Sequence, residues 1–258
     1  MQLTWLDSNS WLINMAGLRI LLDPWLVGPL VFGNLPWLFK GDRPKAREIP
    51  ENIDLILLSQ GLEDHAHPPT LKQLNRNIPV VGSPSAAKVV KELGFTEVTP
   101  LNHGSSFTLA NKVEIKATPG SPIGPQLVEN GYLLKDLAAG TTLYYEPHGY
   151  HSPTLKASAP VDVVIVPIVD LALPLVGSII KGSQSALEVA KLLQPQVMLP
   201  TAAGGDVIFE GLLMSILRGI GSIDEFRSLL AQNNLSTQVI DATPGEVFEI
   251  QLQKRAVI

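Results

Sequence analysis

The 258-residue sequence contains no cysteine. Disulfides and thiolate metal sites are therefore excluded, and any metal must be held by His, Asp, Glu or backbone groups. The sequence also lacks a run of Lys or Arg, and its formal net charge is −5. Nucleic acids are bound by clustered cations, so no nucleic-acid partner is expected. Asp, Pro, Gly or Asn breaks every apolar stretch well short of a membrane span, so no transmembrane segment is expected. The first residues lack the basic segment and apolar run of a secretory signal, which makes the cytoplasm the expected location. The G-x-S-x-G elbow, the G-x-x-x-x-G-K phosphate loop and the G-x-G-x-x-G fingerprint are absent too.

What is present is an apolar composition: 45% hydrophobic and 17% charged residues. That range suits a self-supporting globular core at this length. The segments "LTWL", "SWLINM" and "LRILLD" predict strands, with Ala16-Gly17 turning between the second and third. Residues 53–58, "IDLILL", form an unbroken apolar run suited to a strand buried on both faces. Residues 68–76 predict a helix opening on Pro68-Pro69. "IPVVG" predicts a strand. "SPSAAKVVKELG" predicts a helix capped by Ser83 and ended by Gly94. The middle of the chain, "SSFTLA", "KVEIKAT", "NGYLLKD" and "TTLYYE", is strand-rich. Strand "VDVVIVPI", helix "SQSALEVAKLL" with Ser183 as its cap, strand "PQVMLP" and helix "SIDEFRSLLAQNN" follow, before closing strands "TQVID" and "EVFEIQL". No linker or composition shift divides the chain, so residues 1–258 are expected to form one domain. Two runs of strands supplemented by helices fit two sheets flanked by helices, although composition alone does not choose this among α/β (α+β) folds.

Several segments together resemble the metallo-β-lactamase superfamily, especially its small hydrolase-like branch. "LTWLDSNSWLINMAGLRILLDPWL" is similar to that branch's opening, where a hairpin leads to a strand ending in Asp-Pro, here Asp23-Pro24. "IDLILLSQGLEDHAHP" resembles the strand and loop bearing the H-x-H-x-D-H signature. "TTLYYEPHGY" resembles the strand that ends in a metal-bridging Asp. "LQPQVMLPTAAGG" resembles the one ending Pro-x-His, and "TPGEVFEI" the closing turn and strand. "SQGLEDH" together with "YYEPHG" also resembles a group associated with cyanobacteria and plastids. The resemblance spans nearly the whole chain and implies a four-layer αββα sandwich. It also exposes departures. Gln60, Leu62, Asp64 and His65 occupy the signature positions, and the first two should be His. The third-motif His falls near Gly120 or Ser121, the bridging Asp at His148 and the last His at Ala202. The first metal site is thus lost, while the second keeps Asp64 and His65 and gains His148.

Two His and one carboxylate suit a single zinc, or another divalent metal such as iron. The resemblance therefore implies a metal-dependent hydrolase of a small-molecule ester, lactone or phosphoester, with Asp64, His65 and His148 as metal ligands. Asp23 would orient a ligand and Gln60 would hydrogen-bond a ligand or water. His67, Glu146 and His151 are nearby reserves, whereas His103 reads as an exposed turn residue. The plainer alternative makes Asp64 a loop-holding carboxylate, His65 a satisfied buried histidine and Asp23 a turn residue. Ser59 with His65 imitates a nucleophile and base by spacing alone.

Two apolar stretches remain. Residues 24–39, with Trp25, Phe32, Trp37 and Phe39, predict a loop, and residues 207–220 an apolar helix. They would line a groove for an apolar substrate or touch a membrane surface. Alternatively they pack on each other as a lid, or across a homodimer interface. A catalytically inactive protein binding an apolar ligand or a protein partner on the same fold is the competing function.

Overall fold

The computed structural model describes residues 1–123 and 127–254. Two mixed sheets of seven strands each form its centre. In order, the first sheet contains Val247–Glu249, Gln2–Trp5, Trp11–Met15, Leu18–Leu22, Leu55–Leu58, Val80–Gly82 and Val98–Pro100. The second contains Gln238–Val239, Val197–Pro200, Val163–Val166, Thr142–Tyr145, Leu127–Asp136, Val113–Ile123 and Ser106–Leu109. The helices are α1 (Pro68–Leu71), α2 (Pro84–Glu92), α3 (Ser183–Leu193), α4 (Leu212–Ile216) and α5 (Ile223–Gln232).

The layering follows from the two-residue period of strands. Ile20, Leu22, Leu55 and Leu57 of the first sheet share a core with Tyr132, Leu134, Tyr145 and Ile165 of the second. Their neighbours Leu21, Ile56 and Leu58 face outward, onto Leu71 of α1 and Ala86 and Val90 of α2. On the other side Leu133, Tyr144, Val164 and Val166 meet Ala186 and Ala190 of α3 and Phe226 of α5. Each sheet is therefore buried on both faces, which is why its strands read as continuous apolar runs. This is the four-layer αββα sandwich.

Several local expectations are met. Ala16 and Gly17 turn with φ of 53° and 76°, and the Ser83 side chain caps α2. Others need correction. Helix α1 ends at Leu71, not Arg76. The Arg76 guanidinium folds back onto the carbonyls of Leu71, Lys72 and Leu74, supplying donors that would otherwise come from continued helix. Helix α3 has Gly182, not Ser183, at its cap position and no side-chain cap. The Ser183 hydroxyl instead donates to the Ile168 carbonyl.

Residues 207–220 are not one helix. They divide into strand Ile208–Glu210, α4 and strand Arg218–Ile220. Gly211 makes the break: its φ is 111°, and a Cβ there would lie 2.6 Å from the Leu38 carbonyl oxygen. The flanking strands each pair antiparallel with a different partner, one with Lys40–Asp42 and the other with Asp170–Leu173. No helix among the described residues is long and apolar enough to cross a membrane.

Candidate metal centre

The site lies where chain leaves the carboxyl ends of parallel strands in both sheets. Leu18–Leu22 and Leu55–Leu58 run parallel, as do Thr142–Tyr145, Val163–Val166 and Val197–Pro200. Such ends are where open α/β sheets place their ligands. Here they deliver Asp23, then Ser59 and Gln60, then Glu146 and His148, and finally Thr201 and Ala202.

Asp23 is fully buried and takes a positive φ of 42°. Its carboxylate accepts four hydrogen bonds: from the Ser59 amide at 2.7 Å, the Ser59 hydroxyl, the Tyr145 hydroxyl at 2.7 Å and His65 Nδ1 at 2.7 Å. Tyr145 belongs to the second sheet, so this carboxylate ties the two sheets together at the site. With Nδ1 held by Asp23, His65 presents Nε2 to Asp64 Oδ2 at 3.1 Å. The Asn9 amide nitrogen lies 3.4 Å from the same Nε2. On the far side, His148 Nδ1 is held by Gln60 at 3.1 Å and Ser121 at 3.0 Å. The His65 and His148 rings meet edge to face with centroids 5.1 Å apart.

One ligand atom each from Asp64, His65 and His148 lies within 4.8 Å of the other two. Two ligands about 2.0–2.2 Å from one ion at a tetrahedral angle are roughly 3.3–3.6 Å apart, close to the spacing of Asp64 and His65. Asp64 Oδ1 is buried without a hydrogen-bond partner. An orphaned carboxylate oxygen beside two imidazoles is the donor set that a divalent cation satisfies, so the residues fit a metal.

Electrostatics agree. Burial alone would depress His65, but Asp64 and Asp23 outweigh it by charge and hydrogen bonding and push its pKa up to about 10. Burial would raise Asp64, yet the charge and hydrogen bond of His65, with His148, hold it low. Burial and the His65 charge pull His148 down to about 4, against the attraction of Asp64 and Asp23. Two acceptor carboxylates thus face one imidazolium and one neutral ring. A divalent ion would leave the cluster neutral once His65 gave up its proton.

The sequence candidates Asp23, Gln60, Asp64, His65 and His148 therefore come together. Gln60 contacts His148, while Leu62 is 41% exposed and offers no ligand. Ala202 lies beside the cluster, since its neighbour Ala203 bridges Ser8 next to Asn9. His67 is elsewhere employed: Nδ1 caps α1 and Nε2 contacts the Pro29 carbonyl. Glu146 is buried, and its Oε2 accepts from the amides of His148 and Tyr150, fastening the loop that carries His148. Burial raises its pKa to about 7 against those amides. His151 pairs with the Tyr144 hydroxyl.

Three contributors escaped the sequence reading. Asn9 and Tyr145 carried no signal beyond a polar turn and an apolar strand, and Ser121 stood out only as a departure from a motif.

The aromatic segment contributes to an apolar cluster of its own. Trp25 is buried and packs on His67 and Phe209, and Phe39 stacks between Phe32 and Phe209. The Leu212 and Leu213 amides donate to the carbonyls of Trp37 and Leu38. The two apolar stretches pack on each other, with Trp37 left 62% exposed.

The His148 loop depends on a glycine. Gly149 has φ of 77°, and a Cβ there would sit 1.8 Å from the Lys181 carbonyl oxygen. Gly149→Ala is expected to cost about 1–3 kcal/mol in thermal or chemical unfolding, and to weaken metal binding by displacing His148. Unchanged stability would contradict this docking.

A family model described as the beta-lactamase superfamily domain matches residues 2–202. A Methanopyrus kandleri protein named as a UPF0173 metal-dependent hydrolase is 24% identical, covering 96% of this chain and all of that protein. A novel metallo hydrolase from Ignicoccus hospitalis superposes with a TM-score of 0.67 at 18% identity, covering 97% of this chain and 99% of that one. The isothiocyanate hydrolase from Delia radicum gut bacteria superposes at 0.71 with 16% identity, covering 98% and 100%. At these identities the structural likeness speaks for the fold alone.

Proposed function

The chain belongs to the beta-lactamase superfamily, and from that premise we propose that it is a metal-dependent hydrolase with one divalent metal, zinc or iron, held by Asp64, His65 and His148. Its substrate is a small ester, lactone or phosphoester. The observation that carries this reading is the convergence of three ligand atoms within 4.8 Å, one of them on a carboxylate whose other oxygen is buried and unpartnered. The metal names of the relatives support it.

A bound metal would supply Lewis acidity and lower the pKa of a water toward about 7. The chain's own residues do the rest. Asp23 fixes the His65 proton on Nδ1 and leaves Nε2 free to coordinate, a carboxylate–histidine–metal arrangement. For His148 to direct Nε2 to the metal, its proton must sit on Nδ1, donated to the Ser121 hydroxyl, with the Gln60 amide turned so that its otherwise unpartnered Oε1 rather than its nitrogen faces the ring. Asn9 holds an amide beside the ligands, as a donor for negative charge developing on a substrate oxygen. Glu146 keeps the His148 loop in place. A silent binding protein is favoured by one feature, the absence of ligands at Gln60, Leu62 and Ala202. A panel of ester, lactone and phosphodiester substrates, with and without chelator, separates the readings. Turnover that a chelator abolishes and added metal restores supports the hydrolase; no turnover on any substrate opposes it.

Metal binding should also release a proton. His65 is protonated below about 10 in the metal-free protein, whereas coordination needs the neutral ring. His148, held at about 4, has no proton to lose at neutral pH. Calorimetry in buffers of different ionisation enthalpy at pH 7–8 should show about one proton released from the ligands, and affinity rising about tenfold per pH unit up to about pH 10. A pH-independent affinity would exclude His65 as a ligand.

A further inference from the structure

A cleft of about 720 Å³ opens beside the metal centre, on the loop that follows His148. Gly149, Tyr150 and His151 form one wall, and Lys181, Gln184 and Ser185 another. The walls are joined: the Lys181 amide donates to the His148 carbonyl at 2.9 Å, and the Ser185 hydroxyl to the Gly149 carbonyl.

Residues carrying three kinds of donor line this space. First, Gln184 and Ser185 belong to the first turn of the eleven-residue helix α3, which has no side-chain cap; the amides of that turn carry the positive end of the helix dipole. Second, Lys181 makes no ion pair among the described residues; its ammonium lies 4.1 Å over the Tyr150 ring. Third, His151 Nε2 is buried with no hydrogen-bond partner. Its Nδ1 is engaged by the Tyr144 hydroxyl at 3.1 Å. Assigning Tyr144 as the donor puts the proton of the neutral ring on Nε2, a buried donor without a partner on a residue that lines the cleft. Burial and the charge of Lys181 hold His151 at about 4, so the ring is neutral at physiological pH.

We propose that this cleft receives an anionic oxygen group, carboxylate or phosphate, bound by Lys181, the α3 amino end and His151, and that it holds the charged end of the substrate next to the metal. The assignment rests on the hydrolase reading above and narrows its substrate class to esters, lactones or phosphoesters bearing an anionic group. Asp170 and Glu188 also line the cleft. They repel a second negative charge, so the occupant carries its charge locally at the Lys181 end.

The test is titration of the metal-loaded protein with inorganic phosphate, followed by calorimetry, alongside metal analysis. Lys181→Met should weaken phosphate by about tenfold or more, the loss of a charge-assisted hydrogen bond. Lys181→Arg should retain binding, and Glu188→Gln should tighten it. Metal content should be the same in all three variants. Equal phosphate affinity in wild type and Lys181→Met overturns the proposal. So does phosphate binding that vanishes on chelation yet ignores Lys181, because the anion then sits on the metal. If the protein holds no metal but phosphate affinity still depends on Lys181 and Glu188, the hydrolase reading fails while the anion site stands.

Discussion

Asp7→Ala is expected to destabilise the protein by about 3–5 kcal/mol, the cost of breaking a buried ion pair and stranding its partners. Asp7 is completely buried. Its carboxylate accepts from Arg43 Nε at 3.1 Å, from Arg47 Nε and Nη2 at 2.7 and 3.1 Å, and from the Asp206 amide at 2.9 Å. Arg43 has a side chain only 3% exposed, and its guanidinium carbon sits over the Trp25 ring, 4.1 Å from the centroid. Removing Asp7 would leave that guanidinium buried without a counter-charge. The same carboxylate pins residues 205 and 206 to the first hairpin and so supports the turn that presents Asn9. For a chain of this size each kcal/mol shifts the midpoint by about 2–4 °C, giving a drop of roughly 6–20 °C in thermal unfolding. The pH dependence has a definite sign. Burial would raise Asp7, but the two arginines and the Asp206 amide outweigh it and hold the group below its usual value. A depressed carboxylate stabilises above its unfolded pKa, and that contribution disappears as pH falls through the folded value. The gap between wild type and Asp7→Ala should therefore narrow in acid. A gap below about 1 kcal/mol at pH 7 would show that the network behaves as an exposed pair.

Asp64→Ala is expected to abolish turnover, leaving the activity of chelator-treated protein. Asp64 supplies the one anionic ligand and the unpartnered oxygen; without it two imidazoles remain, one of them already protonated. Asp23→Asn should do less. It removes the acceptor that orients His65 without removing a ligand, and such losses cost about 10–100-fold in metal affinity. Excess metal should therefore rescue Asp23→Asn but not Asp64→Ala. Equal rescue of both would make Asp64 a loop-holding carboxylate, the plainer alternative.

The sandwich was legible because its strands are buried on both faces and its helices are punctuated. "IDLILL" reads as a buried strand since Ile56 and Leu58 meet helices while Leu55 and Leu57 meet the other sheet. Residues 207–220 misled for a related reason: an apolar run has no period to separate a helix from two short strands, and only Gly211 hinted at the break. Strands Asp170–Leu173 and Gly177–Ile180 went unread. They sit partly exposed and pair within a small separate sheet, so no burial pattern marks them. At the site, Asp23, Gln60, Asp64, His65 and His148 were found through the resemblance of the segments that follow these strands to the superfamily's motifs. Asn9, Ser121 and Tyr145 were not, because their roles arise from contacts between segments far apart in the chain. The polar cleft beside His148 was also unforeseen.

Metal analysis of untagged protein purified without chelator tests the central claim most directly. One divalent ion per chain, absent from His65→Ala and from Asp64→Ala, is the predicted result. A metal-free wild type, two ions per chain, or an ion that survives in His65→Ala would contradict a single centre built on Asp64, His65 and His148.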